Sequence, residues 1–161
     1  MFKEEIGNEF IVIQEGTSEG TQIKYRKDGF WYKKDNRGHE GRAEYLVSKF
    51  MEFTSLKTSE YVTYEEGTIN GSSGCRSNEV GKDLSKVIGN MDTMEERIEY
   101  VVSFIKESCE LDVKEYLSKI FMLDMICLNE DRHLNNLAII MNGDKFTPAP
   151  IFDNGIALLT A

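Results

Sequence analysis

Two short motifs flanking an apolar run constrain the C-terminal part of this chain more than any other feature. They are Asp131-Arg132-His133-Leu134-Asn135-Asn136 and Ile151-Phe152-Asp153-Asn154-Gly155, with Leu137-Ala138-Ile139-Ile140-Met141 between them. The apolar run predicts a buried strand, Asn142-Gly143-Asp144 a hairpin turn, and Phe146 to Phe152 the returning strand. A hairpin reverses the chain, so Asp153 is expected back beside Asn136. Asp131 and Asn136 close the two ends of one loop, which lets both point into a single cleft.

Two carboxylates and a carboxamide in this order suit phosphoryl transfer. One carboxylate, Asp131, accepts the proton of an attacking hydroxyl, while Asn136 and Asp153 hold Mg²⁺ on nucleotide phosphates. Taken singly, Asp, Asn and His are ordinary turn residues, and Asn-Gly alone predicts only a hairpin. Their conjunction is what points to a nucleotide–metal site. His133 reads as a residue that shapes the turn. Arg132 reads as orienting a neighbouring carboxylate or phosphate, without a catalytic role. The chain has two histidines and no Cys or carboxylate at ligand spacing, so zinc is not expected. His39 is expected in a surface loop.

The 161 residues suffice for one domain with a sizeable core or two small lobes around a cleft. With 19 basic and 28 acidic residues the formal charge is −9. No Lys/Arg stripe suggests a nucleic-acid or anionic-membrane surface. No stretch approaches the roughly 18 apolar residues of a membrane span, and Met1-Phe2-Lys3-Glu4-Glu5 lacks the apolar core of a signal peptide. Cys75, Cys109 and Cys127 show neither paired spacing nor a metal pattern. Cys127, within an apolar segment, reads as a small buried hydrophobe. A reducing, cytoplasmic setting is the default.

Along the chain, Phe10 to Ile13 is expected to form a first strand, followed by the irregular Gly16–Thr21 segment. Gln22 to Arg26, the Lys27-Asp28-Gly29 turn and Phe30 to Lys34 read as a hairpin. After a polar loop from Asp35 to Gly41, a helix is expected to bury Ala43, Leu46, Val47, Phe50 and Met51. Tyr61 to Tyr64 reads as a strand, Thr68 to Gly74 as turn-like, and Cys75 to Val80 as a strand leaving into a linker. Thr93 and Glu96 form a capping box opening an amphipathic helix with Met94, Ile98, Val101, Val102 and Ile105 on one face. Asp112 and Glu115 open a second helix, apolar nearly all round from Tyr116 to Leu128 and therefore expected at the centre of a helical layer.

A metal site at Asn136 and Asp153 calls for phosphate-binding groups further upstream. Gly16 and Gly20 would let backbone N–H groups approach phosphate oxygens, although two glycines four apart usually mark only a loop. A strand-borne Lys oriented by a helix-borne Glu is also needed. Lys33 is the first choice, with Lys34 in reserve because alternation does not say which face meets the cleft. Glu44, in the first turn of the following helix, is its expected partner. Lysines at strand ends commonly face water, and an early helical Glu is favoured by the dipole alone.

The segments NEDRHLNNLAII and FTPAPIFDNG resemble the Asp-Arg-His loop and the Ala-Pro-Ile-Phe-Asp strand of the HipA-like serine/threonine protein kinases, in particular their compact CtkA-like branch. EGTSEGTQIKY, FWYKKD and EGRAEYLVSKF extend the resemblance more weakly, and motif order covers about residues 10 to 160. It implies an α+β, two-lobed protein-kinase-like fold. Residues 1–80 would form a small antiparallel sheet lobe with one helix, and residues 81–161 a mainly helical lobe. It implies ATP and Mg as cofactors, Asp131 as the catalytic carboxylate and Asn136 and Asp153 as metal ligands. Lys33 would touch phosphate with Glu44 as its ion-pair partner, Gly16 and Gly20 would lie in the glycine loop, and Ser77 and Asn78 at the hinge that meets adenine. The γ-phosphoryl would pass to a protein hydroxyl, in trans or by autophosphorylation, and a toxin–antitoxin partner is compatible with this. The family continues with further helices beyond the point where this chain ends, so an incomplete helical lobe is expected. A nucleotide-binding pseudokinase or partner-docking module without turnover stays open. So does a small-molecule or lipid kinase, since phosphoinositide kinases share a similar loop.

Overall fold

A computed structural model describes residues 1–12, 22–79, 82–83, 99, 103, 106–107, 113–132, 136–142 and 145–158. The hairpin expected around Asp28-Gly29 is present. β2 (Lys24–Lys27) and β3 (Phe30–Lys34) pair antiparallel through a turn in which both central residues have positive φ, Asp28 at 51° and Gly29 at 79°. That left-handed pair matches the twist of a two-residue hairpin. A second such turn, Asn70 at 51° and Gly71 at 76°, joins β4 (Glu65–Ile69) to β5 (Ser72–Asn78). The expected broad turn from Thr68 to Gly74 thus contracts to two residues.

The first strand lies elsewhere than expected. β1 is Phe2–Glu4, which pairs parallel with β4, while Asn8–Phe10 forms a single 3-10 turn. Ile11 makes only an isolated bridge to Tyr25. β1 is too short to show alternation, and what fixes it is the burial of Phe2 against Tyr32, edge to face at 5.8 Å. Such a contact adds about 0.5–1.5 kcal/mol beyond area burial. The resulting sheet has the order β1-β4-β5-β3-β2. One face carries the cluster Phe2, Ile6, Tyr25, Tyr32 and Ile69. Strand alternation turns Lys24, Lys33 and Cys75, which are register partners, to the other face.

Helix α1 (Glu40–Met51) covers that second face, starting one residue before the end of the expected loop. Its buried positions are Glu40, Gly41, Ala43, Glu44, Val47, Ser48 and Met51, whereas Leu46 and Phe50 are exposed. The expected apolar face is therefore rotated: Glu44 and Ser48 take inward positions because each finds a polar partner there. Ser48 accepts from the Tyr64 N–H at 3.3 Å. Tyr61 to Tyr64 is not a strand; Tyr61 makes one parallel bridge to Ile151.

Beyond β5, β6 (Lys82–Asp83) pairs with β7 (Ala138–Asn142), and β7 with β8 (Lys145–Pro148). The expected C-terminal hairpin is present, with its returning strand ending at Pro148 rather than Phe152. Helix α2 (Val113–Cys127) buries Ile120, Leu123, Asp124 and Cys127. Ile120, Leu123 and Cys127 meet Val47 and Met51 of α1, Tyr61, Leu137 and Ile151 in one core cluster. Phe121, Met122, Met125 and Ile126 are more than half exposed, so α2 is not enclosed on all sides as its composition suggested. Cys75 and Cys127 are buried free thiols. The Thr93–Glu96 capping box, the apolar face from Met94 to Ile105, Asp112, Gly16, Gly20, His133, Cys109 and the Gly143-Asp144 turn lie outside the described residues. Glu99, Ser103, Lys106 and Glu107 are helical, and the Ser103 hydroxyl donates to the Glu99 carbonyl. No helix among the described residues is long and apolar enough to cross a membrane.

Gly41 sets how closely α1 approaches the sheet, and Gly74 how closely β5 approaches β3. A Cβ on Gly41 would lie 2.5 Å from the Gly74 carbonyl carbon, and one on Gly74 would lie 2.4 Å from the Lys33 carbonyl oxygen. Both obstacles are backbone and cannot rotate away. Gly74→Ala is expected to destabilise the fold by about 1–3 kcal/mol through overpacking. Chemical denaturation measures this, and an unchanged midpoint would show that the close approach of β5 to β3 is not set here.

Candidate functional site

Lys33 is the penultimate residue of β3, paired with Cys75 of β5 on one side and Lys24 of β2 on the other. It is 6% exposed, and its ammonium lies between two carboxylates. It donates to Glu44 Oε1 at 2.5 Å and to Asp153 Oδ1 at 2.7 Å. The Tyr64 ring lies beneath it, 5.3 Å from Nζ. Lys33, not Lys34, is therefore the lysine that meets Glu44. Glu44 itself is fully buried, in the second turn of α1, and its other oxygen accepts from the Asn154 N–H at 2.7 Å. One carboxylate thereby ties β3, α1 and the segment after β8 together.

Asp153 adopts a left-handed backbone, φ 62°, which Asp tolerates better than most residues. Its N–H donates to the Tyr64 hydroxyl at 3.2 Å. Its carboxylate receives Lys33 on Oδ1, and Lys24 Nζ lies 3.7 Å from Oδ2. The side chain keeps 20% of its surface open.

These groups shift each other's protonation. Burial disfavours the charged form of Asp153, but the Lys33 and then the Lys24 ammonium outweigh it and hold the carboxyl well below the usual carboxylate range. Burial likewise works against charge on Lys33, and the carboxylates of Asp153 and Glu44 overcome it, keeping the ammonium protonated well past its ordinary range. Glu44 is pushed up by burial in spite of the Lys33 charge beside it.

A second arginine-centred cluster carries the loop from Asp131 to Asn136. Arg132 grips Asp124 of α2 with two parallel bonds, Nη2 to Oδ1 at 2.8 Å and Nε to Oδ2 at 3.0 Å. It also donates to the carbonyls of Asn136 at 3.3 Å and Phe152 at 2.6 Å, and to Asn154 Oδ1 at 2.8 Å. Arg132 thus orients a carboxylate, as its position suggested, and joins the loop to the strand end that carries Asp153. Asn129 adds a bond to Asp124 at 3.0 Å and accepts from the Asp131 N–H at 3.3 Å. The Asn136 amide nitrogen donates to the Asp131 carbonyl at 2.9 Å, tying the two ends of the loop together. Asp131 is exposed.

The structure brings Lys33, Glu44 and Asp153 into direct contact, and Asn136 and Asp131 onto one loop tied to Asp153's segment. Ser77 is buried on β5, and Asn78 ends that strand exposed. Sequence reading passed over Lys24, Tyr64, Asp124 and Asn154. Asp124 had a signal: it is the one charged residue between Ile120 and Leu128, in an otherwise apolar run where a buried carboxylate demands a cationic partner. A cavity of about 130 Å³ lies elsewhere, between Tyr116 and Lys119 of α2 and Thr147 to Ile151, and none of the residues above lines it.

No protein-family model matches the chain, and no curated protein does. The solved structure of a Helicobacter pylori proinflammatory kinase, CtkA, has the same fold, with a TM-score of 0.65 and 20% sequence identity. The match covers 97% of this chain and 59% of that one, so the chain spans less than two thirds of the length of the protein it resembles. The chain is accordingly a mixed α/β structure, β-sheet first and helical later, on the fold of that kinase.

A carboxyl held low by two ammonium ions contributes stability that is present above its unfolded value and is lost as pH falls towards its native value. The Asp153 side-chain carbon is expected to keep its ionised chemical shift at about pH 3, below the ordinary Asp midpoint. Carbon-detected NMR titration tests this; a midpoint in the ordinary range would mean that the two lysines do not hold Asp153.

Proposed function

We propose that this chain is the ATP- and Mg²⁺-binding part of a two-lobed, HipA-like serine/threonine protein kinase that transfers the γ-phosphoryl group of ATP to a protein hydroxyl. The observation that carries the reading is the buried Lys33 ammonium held by Glu44 and Asp153. Kinases require a strand lysine, a helix glutamate and a metal-binding aspartate in one place, and these three side chains come from segments up to 120 residues apart. The likeness to a solved kinase structure supports the same reading at the level of fold.

On this reading residues 1–80 form the sheet lobe and 81–161 the helical lobe, with the adenine against the end of β5 at Ser77 and Asn78. Lys33 neutralises the α- and β-phosphates, and Glu44 keeps its ammonium aimed. Gly16 and Gly20 supply backbone N–H groups to the phosphates. Asp131 accepts the proton of the Ser or Thr hydroxyl as its oxygen bonds to the γ-phosphorus and the bond to the ADP oxygen breaks. Asn136 and Asp153 are the residues that would hold Mg²⁺. No group of three His, Cys, Asp or Glu side chains gathers among the described residues, and Mg²⁺ does not need one. It takes one or two carboxylates and fills its octahedron with water and substrate phosphate. Bound there, the ion supplies charge neutralisation on the transferring phosphoryl group. A cytoplasmic setting and a protein substrate belong to the same proposal, as does a toxin–antitoxin partner.

The test pairs binding with transfer on one sample. Mg²⁺-ATP is expected to raise the melting temperature of the wild type, and labelled phosphate to appear on protein. Asp153→Ala is expected to abolish Mg²⁺-dependent ATP binding, since removing a metal ligand removes most of the positioning. Asp131→Ala is expected to bind ATP normally and lose transfer by about 10²-fold or more. Autophosphorylation at the wild-type rate by the Asp131 variant would remove that residue from the chemistry. Binding without transfer in the wild type would make the chain a nucleotide-binding module.

A further inference from the structure

Lys24 is the cationic neighbour of the cleft that no role yet covers. It lies directly opposite Lys33 in the β2–β3 register, on the same face of the sheet. Like charges placed opposite each other on an antiparallel pair repel, and the fold accepts that here. Its side chain is only 17% exposed, so water does little to screen the pair. The adjacent Tyr25 is packed into the aromatic cluster on the opposite face, which fixes Lys24 toward the cleft. Two inward ammonium ions on adjacent strands amount to an anion site, and in this structure the anion is Asp153.

The two lysines differ in what else holds them. Lys33 has Glu44 as a second, buried partner at 2.5 Å. Lys24 has Asp153 as its ion-pair partner among the described residues, at 3.7 Å, beyond hydrogen-bond length. If the Asp153 carboxylate is committed to a divalent cation, Lys33 keeps a counter-charge and Lys24 loses its own. A half-buried ammonium without a counter-charge is costly, and the incoming polyphosphate is the anion within its reach.

We infer that Lys24 is a second polyphosphate-binding cation, exchanging Asp153 for the phosphates of a metal-bound nucleoside triphosphate. This rests on the nucleotide-binding reading above. It adds a positioning residue on β2, one strand further from the helix than Lys33. Lys24 would select for the charged tail of the nucleotide and contribute nothing to recognition of the nucleoside.

Isothermal titration with Mg²⁺ and the non-hydrolysable triphosphate AMP-PNP, and separately with adenosine, tests the inference on wild type, Lys24→Met and Lys24→Arg. Losing one charge-assisted contact is expected to weaken triphosphate binding by Lys24→Met about tenfold or more. Adenosine binding should stay within about twofold of wild type, and Lys24→Arg should recover part of the loss. Triphosphate binding unchanged in Lys24→Met, or an equal loss for adenosine, overturns the inference while leaving the nucleotide site intact. Failure of the wild type to bind either ligand overturns the nucleotide reading itself and this inference with it. A wild-type measurement guards against a variant that does not fold. Acylation of Lys24, read by peptide mass spectrometry, should be blocked by Mg²⁺-AMP-PNP and not by adenosine; equal labelling with and without the triphosphate refutes the contact.

Discussion

One buried ammonium organises this molecule. Lys33 comes from the second strand of a hairpin, Glu44 from the helix that follows it, and Asp153 from the far end of the sequence. None of the three could be buried alone, because an isolated charge in a dry interior costs far more than a fold of this size can absorb. Together with Lys24 they make two cations and two anions, a neutral group. Removing one partner would leave a buried charge uncompensated, typically a loss of about 3–5 kcal/mol. The group therefore acts as a geometric requirement. Chain arrangements that separate the sheet, α1 and the Asp153 segment leave a charge stranded.

The arginine cluster meets the same demand on the other side of the Asp153 segment. Arg132 offers a rigid planar fork, and its five donors reach a helix carboxylate, two backbone carbonyls and a side-chain amide. A lysine would reach one or two of these. The bonds to the Asn136 and Phe152 carbonyls hold two segments at a fixed separation, and Asn154 links the two clusters. It accepts from Arg132 through its side chain and donates to Glu44 through its backbone. Asp131, Asn136 and Asp153 therefore owe their positions to side chains behind them as much as to the hairpin between them.

Much of this was legible wherever local chemistry decides the outcome. Asp28-Gly29 requires a tight turn, and Phe30 to Lys34 forms the strand its aromatic residues indicate. The Asp131–Asn136 loop and the return to Asp153 follow from motif spacing. What could not be read depends on packing between distant segments. The choice of Lys33 over Lys34 is made by Glu44, which alternation along one strand cannot see. α1 turns Leu46 and Phe50 outward because Glu44 and Ser48 have partners inside, and a hydrophobic pattern counts only apolar residues. From Ile120 to Cys127 α2 is apolar at every step but Asp124, and such a pattern carries no information about which side is covered. β1 is a parallel pairing of three residues, placed by one phenyl ring rather than by any period.

The backbone at Asp153 shows how the two clusters cooperate. A left-handed conformation at a non-glycine residue costs roughly 1–2 kcal/mol. Here the strain is offset from both sides of the residue: the Phe152 carbonyl is fixed by Arg132, the Asp153 N–H by Tyr64, and the Asn154 N–H by Glu44. Three consecutive backbone groups are anchored by three different elements. The side chain is consequently aimed at the lysines by its backbone and not only by attraction to them. A carboxylate held in this way could exchange one cation for another without the chain moving, whereas one held only by its ion pairs would swing away when a pair is broken. Preorganisation of this kind lowers the entropic cost of binding a charged ligand. It explains why strain is tolerated at this position, whereas the left-handed Asp28 lies in an exposed turn and the left-handed Asn70 in a turn where its side chain also holds the Ile6 backbone.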